Sequence, residues 1–145
     1  MQNLALSAAA PNSNSNVSPS RGAKIGGYIL SGLPVAFLLM DATMKLVASQ
    51  PAVEGTQKLG YDPAVLLPLG VTQLVCLITY LLPRTAVLGA ILWTGYLGGA
   101  VATHVRMGDP WFSHILFPVY IGAMLWLGLW LRSPALRALV PLRRG

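Results

Sequence analysis

Four long stretches of nearly unbroken apolar residues, set apart by short polar ones, organise this chain. The first runs from Ile25 to Ala48, IGGYILSGLPVAFLLMDATMKLVA, and the second from Ala64 to Leu82, AVLLPLGVTQLVCLITYLL. The third is Ala86 to Val105, AVLGAILWTGYLGGAVATHV, and the fourth Ser113 to Leu131, SHILFPVYIGAMLWLGLWL. Each run is apolar around its whole circumference and too long for a buried strand, so each predicts a helix. At 1.5 Å per residue the first spans about 36 Å, enough to cross a hydrocarbon core of roughly 30 Å with some tilt. A soluble bundle would need polar faces at helical period, and these runs have none. The pattern predicts an all-α, four-helix transmembrane bundle.

Between the runs lie helix breakers. Pro51 and Pro63 punctuate the stretch SQPAVEGTQKLGYDP, Pro83-Arg84-Thr85 stops the second run, and Arg106-Met107-Gly108-Asp109-Pro110 ends the third. Pro34, Pro68 and Pro118 fall inside runs and predict kinks, which bilayer helices tolerate when neighbours satisfy the freed carbonyls. Residues 1–21 are small, polar and Pro-broken, the composition of a disordered tail. The domain then covers 22–142, with 132–145 as a basic tail. Arg21 and Lys24 ahead of Tyr28 to Met40, with Val47-Ala48-Ser49 behind, also fit a signal peptide. The long leading tail and the continuation of the run past Asp41 favour a spanning helix.

Composition agrees with this picture. Of the 145 residues 54% are hydrophobic and 10% charged, against roughly 25% charged in soluble domains. The net charge of +6 could suggest a polyanion, but the positions of the basic residues argue otherwise. Arg21, Lys24, Arg84, Arg132, Arg137, Arg143 and Arg144 flank one side of the four runs; only Lys58 and Arg106 lie on the other. Seven against two predicts both termini in the cytoplasm, with the basic tail against anionic lipid. The charge then needs no nucleic acid. One cysteine, Cys76, excludes a disulfide framework and a CxxC pair.

A charged side chain inside a spanning helix is costly, and the first run holds two, Asp41 and Lys45. Their i,i+4 spacing puts them on one face. Lys45 can snorkel toward the headgroups, whereas Asp41 lies roughly 10 Å from the end of the run and cannot reach water. It needs an ion pair, a proton or a wet cavity. A structural pair and a proton, ion or ligand site both remain open. Gln73, Tyr96, His104, Arg106 and His114 converge with it on the outer half of the bundle and complete the candidate site.

Two histidines at similar height could ligate a metal or a haem, but neither has an HxxxH-type partner, so the sequence requires no cofactor. Ala90, Thr94, Gly98 and Ala102 form a small-residue stripe beside a GxxxG of Gly95 and Gly99. These glycines predict close helix packing, within the chain or in a homo-oligomer, or a face that admits a flat ligand. Trp126 and Trp130 read as an aromatic belt.

The stretch from Pro83 to Pro110, PRTAVLGAILWTGYLGGAVATHVRMGDP, resembles the DoxX-like family of small four-helix membrane proteins. The segments DATMKL, LGYDP and LRSPALRALVPLR resemble it too, so the likeness runs from Gly22 to Leu142. Most DoxX-like proteins have no assigned activity; more distant relatives are associated with membrane redox systems, including thiosulfate:quinone oxidoreductase. The resemblance implies Lys45, Gly95, Gly98, Gly99, His104 and Arg106 as motif residues without an assigned role. With one cysteine, dithiol chemistry would belong to a redox partner protein.

The resulting expectation is a multi-pass protein of a bacterial plasma (inner) membrane, an accessory subunit of a membrane redox complex. The alternatives are a stand-alone binder or carrier of a small lipophilic molecule, a quinone among them, and a structural membrane partner. Topology is open to a direct test. A cysteine at Gln57 should react with an impermeant thiol reagent added outside intact cells, and one at Arg137 should not. The reverse pattern would invert the bundle.

Overall fold

The computed structural model describes residues 20–139. The expected tail 1–21 lies outside the described residues up to position 19, and the basic tail is described only to Leu139. Six α-helices follow in order: α1 Arg21–Leu46, α2 Gln50–Lys58, α3 Leu66–Leu81, α4 Ala86–Met107, α5 Phe117–Arg132 and α6 Pro134–Leu139. A 3-10 turn, Pro63–Val65, leads into α3, and a π-turn, Trp111–Ile115, leads into α5. The described residues contain no strand. With their lead-in turns, α1, α3, α4 and α5 are each long and apolar enough to cross a membrane. At most a third of each span's apolar window is buried within the chain. The remainder, including Ile29, Leu33, Ile78, Ile91 and Leu127, faces outward, as lipid demands.

The four long helices close a ring in which α1 packs on α3 and α5, and α4 packs on the same two. Trp93, Tyr80, Leu125 and Leu38 fill its centre, each 3% exposed or less. Single glycines let the helices meet. A Cβ on Gly27 would lie 2.8 Å from the Gly128 carbonyl, and one on Gly128 would lie 2.2 Å from Ser31 Oγ. A Cβ on Gly89 would lie 2.3 Å from the Tyr80 amide nitrogen. The Tyr80 hydroxyl donates to the Leu125 carbonyl at 2.7 Å and lies 3.0 Å from Ser31 Oγ, tying α3 to α5 and α1. At this end the bundle is tight.

The structure refines several local readings. Pro51 starts a helix instead of breaking one: Ser49 is the N-cap of α2 and the proline sits in its first turn, where its missing N–H costs nothing. Pro68 and Pro118 likewise fall in first turns, leaving Pro34 as the interior helix proline. The glycines read as packing residues, Gly95, Gly98 and Gly99, meet no neighbour: a Cβ at each has nothing within 4 Å. Among the described residues, the approaches that would bring a Cβ closer than 3.0 Å to backbone fall at Gly27, Gly89 and Gly128, and Gly70 packs closely on Leu46 and the Ala42 carbonyl of α1. Trp126 does more than sit at an interface, since its indole N–H donates to Thr94 Oγ1 at 2.9 Å across α4 and α5.

The contrast between the two sets of glycines is measurable. Gly89→Ala and Gly128→Ala should each destabilise the protein by about 1–3 kcal/mol, since backbone must move. Gly98→Ala should leave stability unchanged or raise it by up to about 1 kcal/mol. Thermal unfolding in mild detergent reads all three.

Candidate functional site

Away from the chain termini the bundle opens. A cavity of about 730 Å³ lies among the C-terminal halves of α1 and α4 and the N-terminal ends of α3 and α5. Its walls are mostly apolar, with Phe37 and Leu38 from α1, Leu69 from α3, and Pro118 and Ile121 from α5. Gly95 and Gly99 form part of the α4 wall. Because glycine has no side chain, the space beside α4 stays open there. Phe37 meets Phe117 edge-on, ring centroids 5.3 Å apart, at the seam of α1 and α5.

One wall is polar. Lys45 Nζ donates to Asp41 Oδ2 along α1, and Gln73 Nε2 donates to the same oxygen from α3 at 2.6 Å. The ammonium supplies the opposite charge that a carboxylate inside a spanning helix needs. Gln73 is fully buried, and its Oε1 has no donor among the described residues. The amide cannot be reversed to cure this. Reversal would set Oε1 against a carboxylate oxygen, acceptor on acceptor. Tyr96 reaches the same cavity from α4 and stacks edge-on against Trp93, centroids 5.5 Å apart.

A cover closes the open end. Pro51, Ala52, Gly55 and Thr56 of α2 and its C-cap Leu59 line the cavity at the spacing of one helix face, and Tyr61 continues it. The cover is fastened to α4. Arg106 Nη2 donates to the Leu59 carbonyl at 2.6 Å, and its guanidinium lies 5.3 Å from the Tyr61 ring centroid. Tyr61 and Thr103 share a hydroxyl hydrogen bond of 2.9 Å. On either side of α2 the backbone turns through the left-handed region, at Ala48 (φ 46°) and Gly60 (φ 78°). Glycine takes that conformation freely; alanine takes it at a cost of about 1–2 kcal/mol.

The structure therefore brings Asp41, Lys45, Gln73, Tyr96 and His104 onto one cavity. His104 Nδ1 is 2.6 Å from Asp109 Oδ2, which fixes the ring at the cavity rim. Arg106 and His114 lie outside the wall. Arg106 fastens the cover, and His114 is an exposed residue of the π-turn, its ring centroid 5.7 Å from that of His104 and its Nδ1 2.8 Å from Ser113 Oγ. No group of three His, Cys, Asp or Glu side chains among the described residues is placed to hold a metal ion. The contribution of α2 was absent from the sequence reading, although Ser49-Gln50-Pro51 has the form of a helix start.

Fold and cavity together define a multi-pass integral membrane protein built as a four-helix bundle with a covered, largely apolar cavity at one end. The DoxX-like family matches residues 29–128, and the chain belongs to that family. No curated protein and no solved structure matches the chain.

The network makes a graded prediction. Asp41→Ala leaves the Lys45 ammonium and the Gln73 amide without their acceptor, and should cost about 3 kcal/mol, the lower end for breaking a buried pair, because the carboxylate is partly open to the cavity. Asp41→Leu with Lys45→Met should recover only part of that loss, since Gln73 stays unpaired. Adding Gln73→Leu should recover most of the remainder. Unfolding midpoints in detergent check the order of the three.

Proposed function

We propose that this DoxX-like protein binds a small lipophilic molecule in the cavity between α1, α3, α4 and α5. The observation that carries the reading is a cavity of about 730 Å³ with apolar walls and one polar wall whose buried Gln73 acceptor lacks a donor. Ligand sites of this size combine apolar walls with a few converging polar groups. The glycines of α4 suit such a role: Gly95 and Gly99 leave room in the wall. The seven-to-two distribution of basic residues supports cytoplasmic termini, with the cavity then in the outer half of the membrane, which we take to be a bacterial plasma membrane. Ligand would reach it from the outer leaflet or past the α2 cover.

An accessory role in a membrane redox complex is compatible with this site, the cavity then holding a molecule for a partner protein. Cys76 is a poor candidate for the chemistry, being single in the chain and 3% exposed in the core. A purely structural role would leave the cavity without a use.

Gly95→Phe separates these readings. A Cβ at Gly95 meets nothing within 4 Å, so a large ring can fill the cavity without displacing backbone. Native mass spectrometry of protein released from mild detergent should show a small-molecule adduct on the wild type and none on the equally stable variant. Wild type free of any adduct would contradict the proposal. Partner proteins retained by both forms would favour the structural role.

A further inference from the structure

The polar wall has more to say about the head group of the ligand, on the reading that the cavity binds a lipophile. Both hydrogen bonds that the protein sends to Asp41, from Lys45 and from Gln73, end on Oδ2. Neither Asp41 Oδ1 nor Gln73 Oε1 receives a donor from the described residues. The Gln73 amide is held in this sense by the carboxylate itself, so its oxygen cannot exchange places with its nitrogen. The wall therefore carries two acceptors in excess, in surroundings where an unmet acceptor is costly. Its charges cancel, since the Lys45 ammonium sits on the Asp41 carboxylate. A cationic head would meet no net negative field, and an anionic head no net positive one.

We infer that this wall selects neutral lipophiles bearing a hydroxyl, alcohols or phenols, over those whose head group can only accept hydrogen bonds. A hydroxyl donates to the idle Asp41 Oδ1 while its oxygen accepts from Lys45. A ketone or an ether can take a hydrogen bond from Lys45 but leaves Asp41 Oδ1 unmet. The apolar body of the ligand, facing Phe37, Leu38 and Ile121, adds affinity without distinguishing the two classes. Asp41 is the specificity-determining residue: its side chain is a third exposed and lines the cavity, whereas Gln73 Oε1 is sealed from it and the Gln73 amide holds the carboxylate in place. The preference for hydroxyl over ether should be about tenfold, the usual worth of one hydrogen bond to a buried acceptor.

The test uses para-nonylphenol and its methyl ether, para-nonylanisole, titrated into the full-length protein in nanodiscs and followed by tryptophan fluorescence. Both molecules share one apolar skeleton and differ in the single donor. The phenol should bind about tenfold more tightly to the wild type, and in the double variant Asp41→Leu, Lys45→Met the ratio should fall toward one. Since a ratio is read within each protein, a moderate loss of stability in the variant does not obscure the result. Equal binding of the two by the wild type would overturn the hydroxyl preference, with water meeting the acceptors, and leave the cavity's role as a lipophile site standing. A preference that survives the Asp41→Leu, Lys45→Met double change would overturn the assignment to Asp41. Failure of both molecules, with Gly95→Phe also lacking a lost adduct, would overturn the binding reading itself.

Discussion

A carboxylate placed well inside a membrane-spanning helix has to be satisfied by the protein, because the bilayer offers it nothing. Asp41 is that group, and the arrangement of this bundle around it follows. Lys45, one turn along α1, supplies the charge, and Gln73 supplies a hydrogen bond from α3, so the two helices are held in register at the open end. Neither contact alone is enough. The ion pair without Gln73 would be confined to one helix, and the amide without the carboxylate would be a buried polar group with no partner at all.

The same bundle is built differently at its two ends. Toward the termini, glycines at 27, 89 and 128 bring backbone against backbone, and Tyr80 ties three helices together through its hydroxyl. Toward the other end, α4 presents glycines that touch nothing, and the space they leave becomes part of the cavity. Glycine thus serves two opposite purposes here. Over the open end lies α2, a short helix between two left-handed turns, held down by Arg106 and Tyr61. The cavity opens beside the bare glycine face of α4, while α3 still packs closely on α1 through Gly70.

Much of the fold is legible in the sequence because the bilayer demands long apolar runs, and those are visible without any tertiary information. The i,i+4 spacing of Asp41 and Lys45 is likewise visible, and so is the depth of Gln73 in the second run. Less legible is anything that depends on which helix faces which. The GxxxG of Gly95 and Gly99 has the form of a packing motif, yet the close approaches fall on other glycines, because the turn of α4 puts that face toward the cavity. The helix α2 hides behind its polar composition and its proline, and only the N-cap serine ahead of Pro51 hints at it. Arg106 and His114 shared the height of the site but not its wall, a distinction that rotation about the helix axis decides and spacing does not.

What occupies the cavity in the membrane decides whether it is a ligand site. The most direct measurement is high-resolution density for the protein extracted into lipid nanodiscs without detergent exchange. Elongated non-protein density should fill the space between α1 and α4, its polar end within hydrogen-bonding distance of Asp41 or Lys45. A cavity collapsed onto itself, or filled only by discrete waters, would contradict the binding reading.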